Sequence, residues 1–373
     1  MNPKDFVNRL FQEAVRLRAS DIHIEHQIKQ LRIRMRIDGL LMETEDVKLE
    51  LGAGIVSRLK VMSQLDIGEK RKPQDGAMTV RTGNHQLDVR ISTLPTFHGE
   101  KVVLRILDRH ATLFTFAELG FTTDQQSTIH RFMARKSGLL IVTGPTGSGK
   151  TSTLYSLLQT INHVEKNIVT LEDPIERQLD GINQVQIQLK GGFTFAEGLR
   201  AILRQDPDVM MVGEIRDLET ATIAIRAALT GHLVLSTLHT VDGVSAIMRL
   251  LDIGIEPYRV AAALNGVIAQ RLVRLKCEPC TGIGCPRCKL SGAYGRTGIF
   301  EVISAEDETF QRMIIEKKAR TEWRSYLEKR GLVSLKQALL VLYQKEKISK
   351  GEMIQVMNDV DTSEMEHGAL RSF

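Results

Sequence analysis

Eight consecutive residues restrict the possible folds of this chain more than anything else in it. Gly144-Pro145-Thr146-Gly147-Ser148-Gly149-Lys150-Thr151 reads G-x-x-x-x-G-K-[ST] without a gap. Such a loop needs a buried strand running into it and a helix leaving it. Both signals are present: residues 139–143 form an apolar run, and 151–161 carry a helical pattern. Glycines at 144, 147 and 149 let backbone N–H groups curl around phosphate oxygens, and the helix N-terminus adds its dipole. Lys150 is then placed to reach the β- and γ-phosphates, and the Thr151 hydroxyl to bind Mg²⁺. A glycine-rich turn matching by chance has no reason to carry those flanks. The segment implies a nucleoside triphosphate site.

Around it, short apolar runs at 139–143, 168–171, 209–212 and 233–236 alternate with helical segments, the mark of a parallel sheet covered by helices. The N-terminal part has a different rhythm. Phe6, Val7, Leu10, Phe11, Ala14 and Leu17 fall at helical spacing. Ile22 and Ile24 then alternate with polar residues, as do Leu31, Ile33, Met35 and Ile37 with Arg32, Arg34 and Arg36, and Asp38-Gly39 supplies a turn. A helix around 55–65 and strands at 76–81, 86–93 and 101–107 follow. Residues 1–107 therefore read as a small α+β domain with a largely antiparallel sheet, and 108–122 as a connector without steady period. Residues 123–373 read as the phosphate-loop domain, with a helical, charge-mixed tail at 307–373.

Ligands of an open α/β sheet sit beyond the C-terminal ends of its strands. Two acidic strand ends qualify. The run from Asp208 to Val212 leads to Glu214, the usual kind of group for positioning water or metal, and Ile168-Val-Thr-Leu leads to Glu172 and Asp173. For Asp173 a helix cap or a surface acid is the plainer alternative, less so for Glu172 and Glu214. His232 and His239 flank the run 233–236; either could be a satisfied structural histidine, and His239, at the C-terminal end, is the better placed to sense a γ-phosphate.

Cys277-x-x-Cys280-x4-Cys285-x-x-Cys288 holds all four cysteines within twelve positions. Two CxxC pairs are a pattern for tetrahedral structural Zn²⁺, although iron–sulfur ligation at unusual spacing or metal-free thiols would use the same residues. A formal charge of +5 spread over 373 residues is too dilute for a nucleic-acid binder. Aromatic content of 5% leaves few stacking platforms for bases. No stretch approaches the apolar length of a membrane-spanning helix, and the N-terminus lacks the apolar core of a signal peptide.

The order of the phosphate loop, Leu171-Glu-Asp-Pro-Ile-Glu176, Leu203-Arg-Gln-Asp-Pro-Asp208, Gly213-Glu-Ile-Arg-Asp217 and Gly231-His-Leu-Val-Leu-Ser-Thr-Leu-His239 resembles the GspE/PulE family. Ala19-Ser-Asp-Ile-His-Ile-Glu25 and Arg90-Ile-Ser-Thr-Leu-Pro95 extend the resemblance to the N-terminal domain, so that it runs from about residue 19 to 303. These are hexameric ATPases of type II secretion, type IV pilus assembly and competence machines. The blocks correspond to the family's Walker A motif, Asp box, Walker B variant and His box.

The resemblance implies a RecA-like α/β domain preceded by a small PAS-like one, with ATP, Mg²⁺ and Zn²⁺ as cofactors. It implies that Lys150 and Thr151 hold phosphate and Mg²⁺, that Glu214 orients the attacking water with Glu172 assisting, and that His239 lies at the edge of the active site. Arg90 and Arg105 occupy the segment whose arginines close over the γ-phosphate; Arg32, Arg34 and Arg36 read as a solvated strand face. The expected partners are five further copies of the chain in a hexamer, a polytopic inner-membrane platform protein and, through it, pilin subunits, without direct nucleic-acid binding. The expected location is cytoplasmic, at the inner face of the cell membrane. The chain begins almost at the small domain, its cysteine pairs stand only four residues apart, and the stretch after Gly331 drifts from the family's usual ending. This short form looks most like the competence pilus ATPase of Gram-positive bacteria, with secretion and pilus-assembly ATPases as the alternative. A nucleic-acid motor and a nucleotide-gated scaffold are the readings of another class.

Overall fold

A computed structural model describes residues 2–83, 85–108, 113–188 and 191–369, the side chains of 108 and 361–369 excepted. The chain divides into two compact units, Met1–Thr112 with Glu176–Gln178, and Leu113–Ile175 with Leu179–Phe373. No helix among the described residues is long and apolar enough to cross a membrane.

The first unit opens with α1 (Pro3–Leu17), whose start is set by Pro3 in its first turn and by the Asn2 side chain accepting the Asp5 N–H at 2.8 Å. Strands β1 (Asp21–His26), β2 (Gln30–Ile37) and β3 (Leu40–Lys48), helix α2 (Leu49–Met62), and strands β4 (Gln74–Thr82), β5 (His85–Thr96) and β6 (Gly99–Asp108) follow. The sheet order is β3-β2-β1-β6-β5-β4, with every neighbouring pair antiparallel. Alternation decides its inner face: Leu31, Ile33 and Met35 pack with Phe6, Leu10, Phe11 and Ile55 in one core. Helix α2 begins six residues earlier than the apolar spacing suggests. Lys48 caps it without a side-chain hydrogen bond, so no Ser, Thr, Asp or Asn marks the start.

The arginine stripe of β2 is ion-paired, a correction to the solvated face expected from the alternation. Arg32 and Arg34 both donate to the buried Glu25 carboxylate, at 3.1 and 2.7 Å, and Lys101 Nζ lies 3.1 Å from it. Arg36 donates to the Gly39 carbonyl at 2.9 Å and lies 3.7 Å from Asp21. Burial alone would raise the Glu25 pKa, but the donors outweigh it and hold the carboxyl at about 2. A carboxylate with a depressed folded-state pKa stabilises the fold above its ordinary pKa, and that contribution disappears as pH falls toward 2. Thermal unfolding should therefore show the melting temperature of the first unit falling between about pH 5 and 2. Glu25→Gln should melt lower than wild type at pH 7 and converge with it in acid. A constant gap across that window would remove Glu25 as the cause.

In the second unit, the connector expected at 108–122 contains a one-turn helix, α3 (Phe116–Leu119), closed by a Thr115–Glu118 capping box; residues 109–112 lie outside the described residues. The elements then run α4 (Thr123–Met133), β7 (Gly138–Thr143), α5 (Lys150–Ile161), β8 (Ile168–Glu172), β9 (Asn183–Gln186), α6 (Phe195–Ile202), β10 (Val209–Val212), α7 (Leu218–Leu229) and β11 (Leu233–Leu238). They continue with α8 (Gly243–Asp252), α9 (Pro257–Ala263), β12 (Leu264–Lys276), β13 (Ala293–Ser304), α10 (Glu308–Ile315), α11 (Arg320–Lys329), α12 (Leu335–Gln344) and α13 (Lys350–Ala369). The end of the expected helical tail, 370–373, lies outside the described residues.

The sheet order is β13-β12-β7-β11-β10-β8-β9. The four apolar runs found in the sequence are its central strands, all parallel, and β12 and β13 form an antiparallel pair at one edge. Strand β7 is buried along its whole length and feeds two cores. Leu139 and Ile141 join the cluster around α7 to α9, whereas Leu140 and Val142 join the one around α4 and α5. A strand covered on both faces has no reason to alternate apolar with polar residues, which is why it reads as a continuous apolar run. The mixed α/β architecture with a central parallel sheet is the one expected.

Candidate nucleotide site and cysteine cluster

The phosphate loop leaves the C-terminal end of β7 and enters α5 at Lys150. Gly147 and Gly149 take left-handed φ values of 78° and 89°, which let the loop fold back on the helix start. Its base is fastened to β11: the Thr143 hydroxyl donates to the Leu238 carbonyl at 3.0 Å and accepts the Thr240 N–H at 3.1 Å. Thr143 pairs with Leu238 in the parallel register, so His239 comes level with the first residue of the loop.

Lys150 Nζ donates to the loop's own carbonyls, Gly144 O at 2.8 Å and Pro145 O at 3.0 Å, and lies 3.5 Å from His239 Nδ1. His239 Nε2 is 3.4 Å from Glu214 Oε2, and the other Glu214 oxygen receives Arg216 at 2.5 Å. Burial and the Lys150 charge lower the His239 pKa against the pull of Glu214, so the ring is neutral at pH 7. A charged lysine can only donate, so Nδ1 accepts and the ring proton sits on Nε2, facing the carboxylate. The row Lys150, His239, Glu214, Arg216 thus joins the phosphate loop to the acidic strand end through one imidazole. Glu214 lies just past β10, held there by backbone bonds on both sides, Gly213 N–H to Leu171 O at 2.8 Å and Ile215 N–H to Thr237 O at 3.1 Å.

Glu172 has different surroundings. It is 3% exposed and receives three donors: the Tyr155 hydroxyl at 2.5 Å, the Thr170 hydroxyl at 2.6 Å and Gln184 Nε2 at 3.1 Å. Tyr155 stands on α5, so this carboxylate braces the phosphate-loop helix against β8 and β9. Asp173 is exposed. His232 Nδ1 donates to the Ala227 carbonyl at 3.1 Å and closes the turn after α7. Arg90 and Arg105 belong to the first unit, where they face each other across β5 and β6. Asp21, at 3.1 Å from Arg105 Nε, offsets part of their mutual repulsion. Arg90 is exposed.

The sequence reading passed over Arg216, Tyr155 and the Thr143–Thr240 clasp. Arg216 had a signal, standing two residues after Glu214 in the same block. The other two depend on which elements pack together, α5 against the end of β8 and β7 beside β11.

The four cysteines converge. The Cys277–Cys285, Cys280–Cys288 and Cys285–Cys288 sulfur pairs are each 3.8 Å apart, and all four sulfurs lie within 4.8 Å of one another. Four thiolates around zinc at about 2.3 Å have sulfurs about 3.8 Å apart, so the cluster fits a tetrahedral ion, whereas a disulfide needs about 2 Å. Two 3-10 turns, Glu278–Cys280 and Pro286–Cys288, each end in a left-handed residue, Thr281 and Lys289. Backbone N–H groups point at sulfur from Gly284 to Cys280 at 3.3 Å and from Cys285 to Cys288 at 3.1 Å. Such donors favour thiolates, the form that a metal requires. Although burial pushes the Cys288 thiol up, its backbone donors hold it down at about 6.

The chain matches the family described as type II/IV secretion system protein over residues 3–355. It is 49% identical over 326 residues to the type II secretion system ATPase E of Vibrio cholerae serotype O1, an alignment covering 81% of this chain and 65% of that protein. It is 46% identical over 339 residues to the type II secretion system protein HxcR of Pseudomonas aeruginosa, covering 89% and 72%. The chain thus spans slightly less than two thirds of the length of the Vibrio relative. Among solved structures, it superposes on the ADP-bound pilus retraction motor PilT with a TM-score of 0.65 at 28% identity, covering 94% of this chain and 96% of that one. The ATPase DotB of Legionella pneumophila, at a TM-score of 0.76 and 22% identity over 96% of both chains, has the same fold.

Proposed function

We propose, since this chain belongs to the type II/IV secretion system protein family, that it is an ATP-hydrolysing motor of the type II secretion and type IV pilus assembly class. The observation that carries the reading is the row Lys150–His239–Glu214, which sets an acid beside the phosphate loop at the strand ends. In this reading the triphosphate takes Lys150 away from the Gly144 and Pro145 carbonyls, and loop N–H groups receive the phosphate oxygens. Thr151 is the residue to hold Mg²⁺, which neutralises charge on the phosphates when bound. Glu214 orients the attacking water, and the neutral His239 reports phosphate occupancy to it. Glu172 positions α5 through Tyr155, and Arg90 and Arg105 are the arginines proposed to neutralise charge on the γ-phosphate. Zn²⁺ at Cys277, Cys280, Cys285 and Cys288 is structural.

The working form is a homo-hexamer, peripheral at the cytoplasmic face of the inner membrane, that drives a polytopic platform protein and through it the assembly of pilin-like subunits. Identity of 46–49% with type II secretion proteins favours a secretion pseudopilus. A competence pseudopilus for DNA uptake uses the same motor, and the two separate genetically, since a null strain loses either secreted proteins or transformation. The biochemical test is steady-state hydrolysis with mass in solution measured with and without ATP. The expected result is turnover together with an ATP-favoured six-subunit particle. Stimulation by single-stranded DNA would point to a nucleic-acid motor, and nucleotide binding without turnover to a nucleotide-gated scaffold.

A further inference from the structure

Strand β12 lies beside β7 on the side away from β11. Ala269 is level with Thr143, so Gln270 comes level with Gly144, the first residue of the phosphate loop. The two backbones approach so closely that a Cβ on Gly144 would stand 2.6 Å from the Gln270 carbonyl oxygen. Behind it, Arg271 donates to that carbonyl at 3.0 Å and to the Val241 carbonyl at 2.8 Å, which fixes this part of β12. The Gln270 side chain is 1% exposed, and its Nε2 donates to the Ser148 carbonyl at 2.6 Å.

We propose that Gln270 is a positioning residue for phosphate binding, because it sets the direction of the Ser148–Gly149 peptide. A trans peptide is planar, with its C=O and N–H on opposite sides. Drawing the Ser148 oxygen toward buried β12 therefore turns the Gly149 N–H the opposite way, away from β12. Without the amide donor, this peptide is free to rotate, because Gly149 tolerates most φ values. A rotated peptide presents a carbonyl oxygen to an incoming phosphate where an N–H should be, which replaces an attraction with a repulsion. Gln270 touches neither phosphate nor water in this scheme; it acts through the loop. Neither the phosphate-loop motif nor the strand-end acids single it out. It is one of three polar residues, with Asn265 and Arg271, inside the buried stretch of β12.

The inference rests on the triphosphate reading of the loop, and the test keeps the two apart. Binding of Mg·ADP, Mg·AMP-PNP and adenosine is measured by calorimetry on the full chain, for wild type, Gln270→Met and Gln270→Glu, alongside melting temperatures. Wild type that binds neither nucleotide overturns the triphosphate reading itself. Given wild-type binding, Gln270→Met keeps the side-chain volume but has no donor. It should weaken both nucleotides by about tenfold or more, the cost of a lost buried hydrogen bond, and leave adenosine unchanged. Binding of both nucleotides within twofold of wild type overturns the proposal, as does an equal loss for adenosine. If the Met variant does not fold, the Glu variant decides. Its protonated carboxyl donates to the Ser148 carbonyl and its carboxylate cannot, so its nucleotide affinity relative to wild type should rise as pH is lowered. A ratio independent of pH overturns the proposal.

Discussion

Glu214→Gln should bind ATP within a few-fold of wild type and hydrolyse it at least about a hundredfold more slowly, the scale on which one preorganised electrostatic group acts. The expectation follows from the surroundings of the carboxylate. His239 and Arg216 approach its two oxygens, so both partners donate to it. Glutamine keeps the shape but offers only one acceptor. Its amide nitrogen must face either the ring N–H or the guanidinium, and it carries no charge to polarise water. Binding should survive because the phosphate ligands belong to the loop, which Glu214 meets only through His239. Lys150→Ala should behave in the opposite way, losing binding first, because it removes the cation that waits inside the loop. Single-turnover hydrolysis with bound nucleotide, beside a binding isotherm, separates the two effects. If Glu214→Gln turns over at the wild-type rate, the water-orienting role passes to another group, and Glu172 is poorly suited to take it. Three donors already occupy that carboxylate, and it is 3% exposed.

Metal analysis of protein purified without chelator should find one zinc per chain, and Cys277→Ser or Cys288→Ser should lose it. Both side chains are buried, and both stand where the cysteine segment meets the edge of the sheet. Cys277 directly follows β12, its N–H donating to the Gly292 carbonyl at 2.8 Å, and Lys276 is bonded to Lys347 O at 2.8 Å. Metal loss therefore releases a segment that also holds the end of β12 and the α12–α13 turn. Structural zinc sites owe much of their folding free energy to the metal. A loss of a few kcal/mol in a domain of this size corresponds to a melting temperature about 5–10 °C lower. Strong chelator should reproduce the shift in wild type and leave the serine variants unchanged. Metal-free wild type with the melting point of the serine variants and no response to added Zn²⁺ would identify the cluster as reduced thiols.

Much of the candidate site was legible because its parts are short and contiguous. The phosphate loop declares itself through spacing that only a strand–loop–helix can use, and the cysteine pairs through a spacing suited to one ion. The parallel strands were legible because a strand buried on both faces shows as an apolar run. Less visible were the partners of these groups. Arg32 and Arg34 read as a solvated face because nothing local says that Glu25 comes to lie beside them on β1, with Lys101 of β6 on its other side. Helix α2 lost its first six residues for want of a capping side chain. Strands β12 and β13 lacked the rhythm of the central strands, since they close the sheet as an antiparallel pair at its edge.

The sequence by itself determined the chemistry available to this protein: a phosphate-loop motif, a strand-end acid, a histidine near it and a four-cysteine cluster. Each of these depends on covalent spacing within about a dozen residues, which local backbone geometry turns into a site wherever the rest of the chain goes. Only the tertiary structure decided which of them work together. The parallel register of β7 with β11 brings His239 level with the phosphate loop, and that of β7 with β12 brings Gln270 to its other side. The reason is that neighbours in a sheet are chosen by burial of whole faces across long sequence separations, a global balance that no short window of residues contains.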